Sequence, residues 1–257
     1  MYVSIASPYV DKFLTGMETS GRSLYNSVIG HVKTLDPGQS GQYNADVIGG
    51  INLIMLDFFS TPTYEARVQT LINAMPKIST AVTQSLSKKF KADPPEDFIT
   101  EAVALQDIYT NQLEASLDDQ AVIFEVVDTY INDLFTAIAS ADSLDTSITR
   151  TKKLQDSLFS YFVTKVTTVL EQYERELLAL WSEYFEVTRW RYDNPVDKRT
   201  RDFCSDHAGG EYTQEEIESW ADEEWDGKIP GTTPETIWVN LGGYNCRGTL
   251  TPIPNKK

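Results

Sequence analysis

From Leu144 to Pro195 the chain carries one long run of helical periodicity with nothing in it to force a break. Leu154, Leu158, Tyr161, Phe162, Val166, Val169, Leu170, Tyr173, Leu177, Leu180, Trp181, Tyr184 and Val187 recur at three- and four-residue spacing. No glycine or proline interrupts the run before Pro195. Taken as one helix of about 45 residues, it would be about 65 Å long. Periodicity sustained beyond about 25 residues predicts a coiled coil, a helical repeat or a spine. The aromatic side chains make the stripe broad, which favours packing against other helices over a free two-stranded coil.

The residues before this run read as further helices separated by turn signals. Ser7–Pro8 has the form of an N-cap followed by proline at the first helical position, and Phe13, Leu14, Met17, Leu24, Val28 and Val32 continue from it. Gly16 and Gly21 weaken that helix. "DPGQSGQ" is a loop, Ala45 to Phe59 a second helix, and Thr61–Pro62 opens a third, with Pro76 kinking or ending it. Ile78, Val82 and Leu86 carry the pattern on to Phe90, and "KADPPED" breaks it. Helical spacing returns from Phe98 to Leu117 and from Ala121 to Ile138, and "ASADSLDTS" forms a polar turn.

After "DNPVD" the character changes. Thr213 and Glu216 have capping-box spacing, which predicts a short helix through Ile217 and Trp220. "WDGKIPGTTPE" is rich in turn residues, "TIWVNL" alternates as a strand does, and "GGYNCRGTLTPI" ends in a further extended piece. The expected fold is therefore mainly α: an elongated helical body (1–143), one long spine helix (144–194) and a small α+β C-terminal module (195–257).

Charge narrows the function classes. In 257 residues, 22 Lys and Arg stand against 38 Asp and Glu, a formal net charge of −16. Such a surface repels a duplex backbone, which argues against a free-standing DNA binder working by phosphate neutralisation. "MYVSIASPYVDKFL" lacks the basic and continuously apolar regions of a signal peptide. "VIGGINLIMLDFF" falls short of the roughly 20 apolar residues of a membrane span. Two cysteines are too few for a disulfide framework, so a soluble protein made in a reducing cytoplasm is the expectation, with no membrane partner.

The unusual chemistry is concentrated in "DKRTRDFCSDHAGGEYTQEEI" and "GGYNCRG". Cys204 and His207 have the Cys-x2-His spacing that lets two ligands hold one ion from a tight turn, and Cys246 could close the set as a zinc candidate. The fourth ligand would have to be Asp202 or Asp206, because His31 lies at the other end of the chain. That gap leaves metal the weaker reading and no cofactor the expectation. The plainer alternative makes Cys204 and Cys246 small buried hydrophobes packed near each other, with a disulfide between them open only outside the reducing cell, as in a mature extracellular particle. A Cys204 nucleophile with His207 as base is disfavoured, because two residues so close on a loop rarely align with a substrate and no oxyanion device accompanies them. The acids of "EEIESWADEEWD" read as a solvated face, and the double glycines as turns. Arg199, Arg201 and Arg247 lie beside Asp197, Asp202 and Asp206. Guanidinium–carboxylate forks could fix two loops against each other, with Trp220, Trp225, Trp238 and Tyr244 as apolar cover.

These two segments together resemble the C-terminal module of tailed-phage minor head proteins, the phage Mu F-like head morphogenesis family. The resemblance rests on Asp197, Thr200, Arg201, Cys204, His207, Gly210, Tyr212, Asn245, Cys246 and Arg247, with Trp220 between them, and covers about the last quarter of the chain. Where the family often carries His or Cys after Asn-Cys-Arg, this chain has Gly248, which removes one candidate ligand. The resemblance implies a non-enzymatic structural protein of the virion, in the capsid interior or at the portal vertex. It would assist head morphogenesis or accompany DNA at ejection. Its implied partners are the portal protein, the major capsid protein or other virion proteins, with packaged DNA near but not specifically bound and self-association in the particle left open. Because some relatives carry toxin-like or ADP-ribosylating domains, a packaged effector enzyme is the alternative. A small zinc-stabilised interaction module is another.

Overall fold

The structure, a computed structural model, describes residues 4–36, 38–117, 120–140 and 144–255. The fold is mainly α with a small three-stranded antiparallel sheet near the C-terminus. Among the described residues seven helices come first: α1 (Ser7–Val32), α2 (Gly41–Phe59), α3 (Pro62–Ile72), α4 (Met75–Phe90), α5 (Glu96–Leu117), α6 (Gln120–Ala139) and α7 (Leu144–Tyr184). They are followed by β1 (Trp190–Asp193), α8 (Asp202–His207), β2 (Glu211–Tyr212), α9 (Gln214–Ser219), a 3-10 turn at Trp220–Asp222, α10 (Ile237–Asn240) and β3 (Thr249–Pro252). Among the described residues no helix is long and apolar enough to cross a membrane.

The helix boundaries have local causes. Ser40 accepts the backbone N–H of Tyr43 and starts α2 ahead of the expected Ala45. Pro76 does not kink a continuing helix. It sits in the first turn of α4, where a missing N–H costs nothing. α1 runs unbroken past Gly16, where a Cβ would collide with the guanidinium of Arg67. Lys91 closes α4 in the left-handed region at φ 53°.

Two expectations are corrected. The long helix ends at Tyr184 rather than continuing to 194, and Trp190–Asp193 becomes the central strand of the sheet. Glu186 turns left-handed at φ 47°, and the Val187 N–H bonds back to the Ser182 carbonyl, a Schellman-type stop built without glycine. "TIWVNL" is no strand. Ile237–Asn240 is a helical turn, and the two fully buried residues, Ile237 and Leu241, stand four apart as on one helix face rather than two apart as in a strand. The capping box of α9 forms as expected, Thr213 accepting from the Glu216 N–H and Glu216 from the Thr213 N–H. The polar turn expected near 141–143 and the stripe positions Leu154 and Leu158 lie outside the described residues or side chains.

The chain forms two compact units. One comprises residues 12–70 and 115–163; its buried residues include Ile48, Ile51, Met55, Val127, Leu134 and Phe162. The other comprises residues 1–11, 71–114 and 164–257 and holds every residue of the C-terminal motif. In this second unit Trp181 of α7 stacks on Phe185 at 4.5 Å and meets the edges of Phe90 and Phe98. The sheet order is β2-β1-β3, with Trp190 opposite both Tyr212 and Pro252 and Tyr192 opposite Leu250. Trp190, Tyr192, Phe203, Ile217, Trp220, Ile237, Leu241 and Leu250 form the core beneath it.

Candidate functional site

The turn after β1 organises the first half of the motif. The Asp197 N–H bonds to Thr200 Oγ1, and the Thr200 hydroxyl donates to the Pro195 carbonyl. The Asp197 carboxylate accepts the Arg199 N–H and both arms of the Arg247 guanidinium, at 2.8 and 2.9 Å. That fork holds the Asp197 carboxyl well below the usual carboxylate range, the Arg199 amide adding to it. Arg201, at the N-cap of α8, donates to the Gly242 carbonyl at 3.2 Å and lies against Gly227. The two arginines thus tie 197–201 to 242–247, across about forty residues of sequence. Asp202 and Asp206, also named as arginine partners, are exposed, and Asp197 takes the fork.

Cys204 and Cys246 are free, buried and 3.8 Å apart. Cys246 Sγ faces the Cys204 thiol, the Gly248 N–H at 3.3 Å and the Tyr192 hydroxyl at 3.6 Å. The Cys204 hydrogen bond and the nearby Arg175 guanidinium pull the Cys246 thiol down, while the same sulfur contact and burial push the Cys204 thiol up. At 3% exposure each, neither sulfur presents itself to a substrate. His207 points into aromatic packing, its ring 4.3 Å from Trp220 and 4.5 Å from Phe203, with Nδ1 donating to the Phe203 carbonyl at 2.8 Å. The zinc candidates Cys204, His207 and Cys246 are not drawn into one donor set. Among the described residues no three His, Cys, Asp or Glu side chains converge as a cation site.

Gly210 and Tyr212 serve the same packing. A Cβ on Gly210 would strike the Tyr212 ring, whose hydroxyl donates to the His207 carbonyl at 3.1 Å and which meets Trp220 nearly perpendicularly at 4.8 Å. Asn245 takes the left-handed conformation at φ 57°, hydrogen-bonding by its backbone to Thr168 and by its side chain to Thr164. Gly243 at φ 89° brings the chain so close to the Gly227 carbonyl that a Cβ would sit 1.9 Å from it.

The residue that organises the second half of the motif lies on α7. Arg175, fully buried, donates from Nε to the Gly248 carbonyl and from Nη1 to the Val239 carbonyl, each at 2.9 Å, and from Nη2 to the Cys246 carbonyl. Gln172 adds a bond to Asn240 at 3.0 Å. Thr164, Thr168, Gln172 and Arg175 therefore form one polar stripe of α7 reserved for the closing loop. Behind Arg175 sit two buried carboxylates. Glu174 accepts the N–H groups of Ile5 and Ala6, and Glu171 accepts the hydroxyls of Ser4 and Ser7, which latches the chain start onto α7. Burial, with the neighbouring Glu174 adding, raises the Glu171 carboxyl to about 7, Arg175 opposing.

The sequence reading missed Arg175, Glu171 and Glu174. A readable signal was present: Thr164, Thr168, Glu171 and Arg175 recur at helical spacing inside the apolar stripe, where solvated polar residues would not belong. Chemically the assembly is a clamp in which most donors and acceptors are consumed by one another, Asn245 Oδ1 being buried without a hydrogen-bond partner among the described residues.

No protein-family model, no curated protein and no solved structure matches this chain.

Proposed function

We propose that the chain is a structural minor head protein of a tailed phage, working near the capsid or portal by docking rather than by catalysis. The observation that carries this reading is the use to which the motif is put. Arg201, Arg247, Asn245 and the two cysteines are engaged in internal contacts that tie the closing loop to the turn after β1 and to α7. A motif spent in this way belongs to a rigid module whose outer surface meets a partner. The resemblance to the Mu F-like module, which spans both tied segments, then supplies the class of particle. A net charge of −16 suits a protein that sits beside packaged DNA without adhering to it. Quantitative mass spectrometry of purified particles tests the proposal: the chain should be present at far fewer copies than the major capsid protein and co-purify with portal. Recovery from the lysate but never from particles would overturn it.

A further inference from the structure

We propose that a groove in the unit containing the motif is a docking site for a basic segment of a partner protein that also carries apolar side chains. The groove, of about 630 Å³, is bounded by α5, the last turns of α7, the start of β1 and α10. Its floor is apolar, formed by Leu105, Leu180 and Val187, with Ile108 half exposed at one wall and Trp238 at the other. Trp238 is held edge-on to the buried Trp190 at 4.8 Å, so its indole is an oriented surface rather than a loose side chain.

The charged side chains of the rim are all acidic. Glu101, Glu176, Glu183, Glu186 and Glu235 line it, and no lysine or arginine does. Glu176 and Glu101 each accept one tyrosine hydroxyl, from Tyr109 and Tyr184. None of the five forms an ion pair among the described residues. α7 also ends here, and the C-terminal end of a helix adds partial negative charge to that of the carboxylates. Apolar floor, oriented indole and uncompensated negative rim complement a segment that alternates Lys or Arg with aliphatic side chains: the cations meet carboxylates and the indole face, and the aliphatics cover Ile108 and Leu105. A metal ion fits poorly, because the carboxylates do not converge. Nucleic acid and anionic lipid would be repelled, and a second copy of this acidic chain would bring mostly like charge.

The test uses the full chain and a fluorescein-labelled 12-residue peptide of three Arg-Leu-Gly-Lys repeats, followed by anisotropy at about 0.15 M salt. Saturable binding is expected. The exposed pair Glu183→Gln/Glu186→Gln should weaken it at least about five-fold, and Ile108→Ser about three-fold. The pair Glu65→Gln/Glu114→Gln, which removes the same charge outside the groove, should change it less than about two-fold. Equal losses from both pairs would reduce the effect to bulk charge and overturn the proposal, as would absent binding or unweakened binding by the groove variants. A concentration-dependent dimer dissolved by Glu183→Gln/Glu186→Gln would assign the groove to a second copy. Displacement of the peptide by calcium but not by sodium at equal ionic strength would assign it to a cation. Either result would overturn the partner segment.

Discussion

Replacing Arg175 by methionine keeps the aliphatic stem and removes the charge and three hydrogen bonds to the carbonyls of Val239, Cys246 and Gly248. A hydrogen bond from a charged group is worth about 1.5–3 kcal/mol net, so three would sum to about 4.5–9 kcal/mol. Burying the guanidinium costs several kcal/mol in the other direction, and removing one partner from a buried charged cluster typically costs about 3–5 kcal/mol. The expected loss is therefore about 3–5 kcal/mol, a large part of the roughly 5–15 kcal/mol that holds a typical domain folded. Urea unfolding at pH 7, followed by tryptophan fluorescence, reads it directly, because Trp181, Trp190, Trp220, Trp225 and Trp238 all lie in the same unit as Arg175. Glu171, ionised in about half of the molecules at pH 7, loses its neighbouring cation, so the same substitution in a Glu171→Gln background should cost about 0.5–1 kcal/mol less. A loss under about 1 kcal/mol, or equal losses in both backgrounds, would refute the clamp as the source of the module's stability.

Three further predictions concern Glu171, Gly243 and the two cysteines of the same unit, with Gly49 of the other unit as a control. Glu171 has its folded pKa raised from 4.5 to about 7, so the native state holds a proton that the unfolded chain releases. Its contribution to stability is therefore lost as pH rises from about 5 to 7, and Glu171→Gln should flatten that slope and stabilise the protein at pH 8 by about 2 kcal/mol; a variant whose urea midpoints track the parent across this range would contradict the assignment. Gly243→Ala must fit a Cβ 1.9 Å from a backbone carbonyl at positive φ and should cost more than about 2 kcal/mol, whereas Gly49→Ala, in a helix with open space around it, should gain about 0.5–1 kcal/mol; thermal unfolding of the pair checks both. Neither Cys204 nor Cys246 should react with a thiol reagent in the folded protein and both should react in denaturant; rapid native labelling of either would contradict their burial.

The helical body was legible because its apolar residues repeat over many turns, and the capping residues of α9 act locally. β1 was not legible. Val187 and Trp190 continue the three-residue apolar spacing past Tyr184, and the signal that stops the helix is a left-handed glutamate in place of a glycine. Four residues at "IWVN" could not distinguish alternation from one helical turn, and the decision falls to the burial of Ile237 against the module core. At the site, Arg247 with Asp197 could be read from sign and spacing of charge. Arg201 also proved to be a tie, but to the Gly242 carbonyl rather than to a carboxylate, and a backbone acceptor leaves no mark in a sequence. Arg175 is the same case three times over.

The central claim is that the closing loop is an integral part of the α7 module and not a mobile element serving a reactive site. Native-state hydrogen exchange measures this most directly. If the account holds, the amides of Leu241, Gly243, Cys246 and Leu250 open together with those of Leu170–Leu180 and with the same free energy. Exchange of the loop amides through a separate, low-energy opening while α7 stays protected would contradict it.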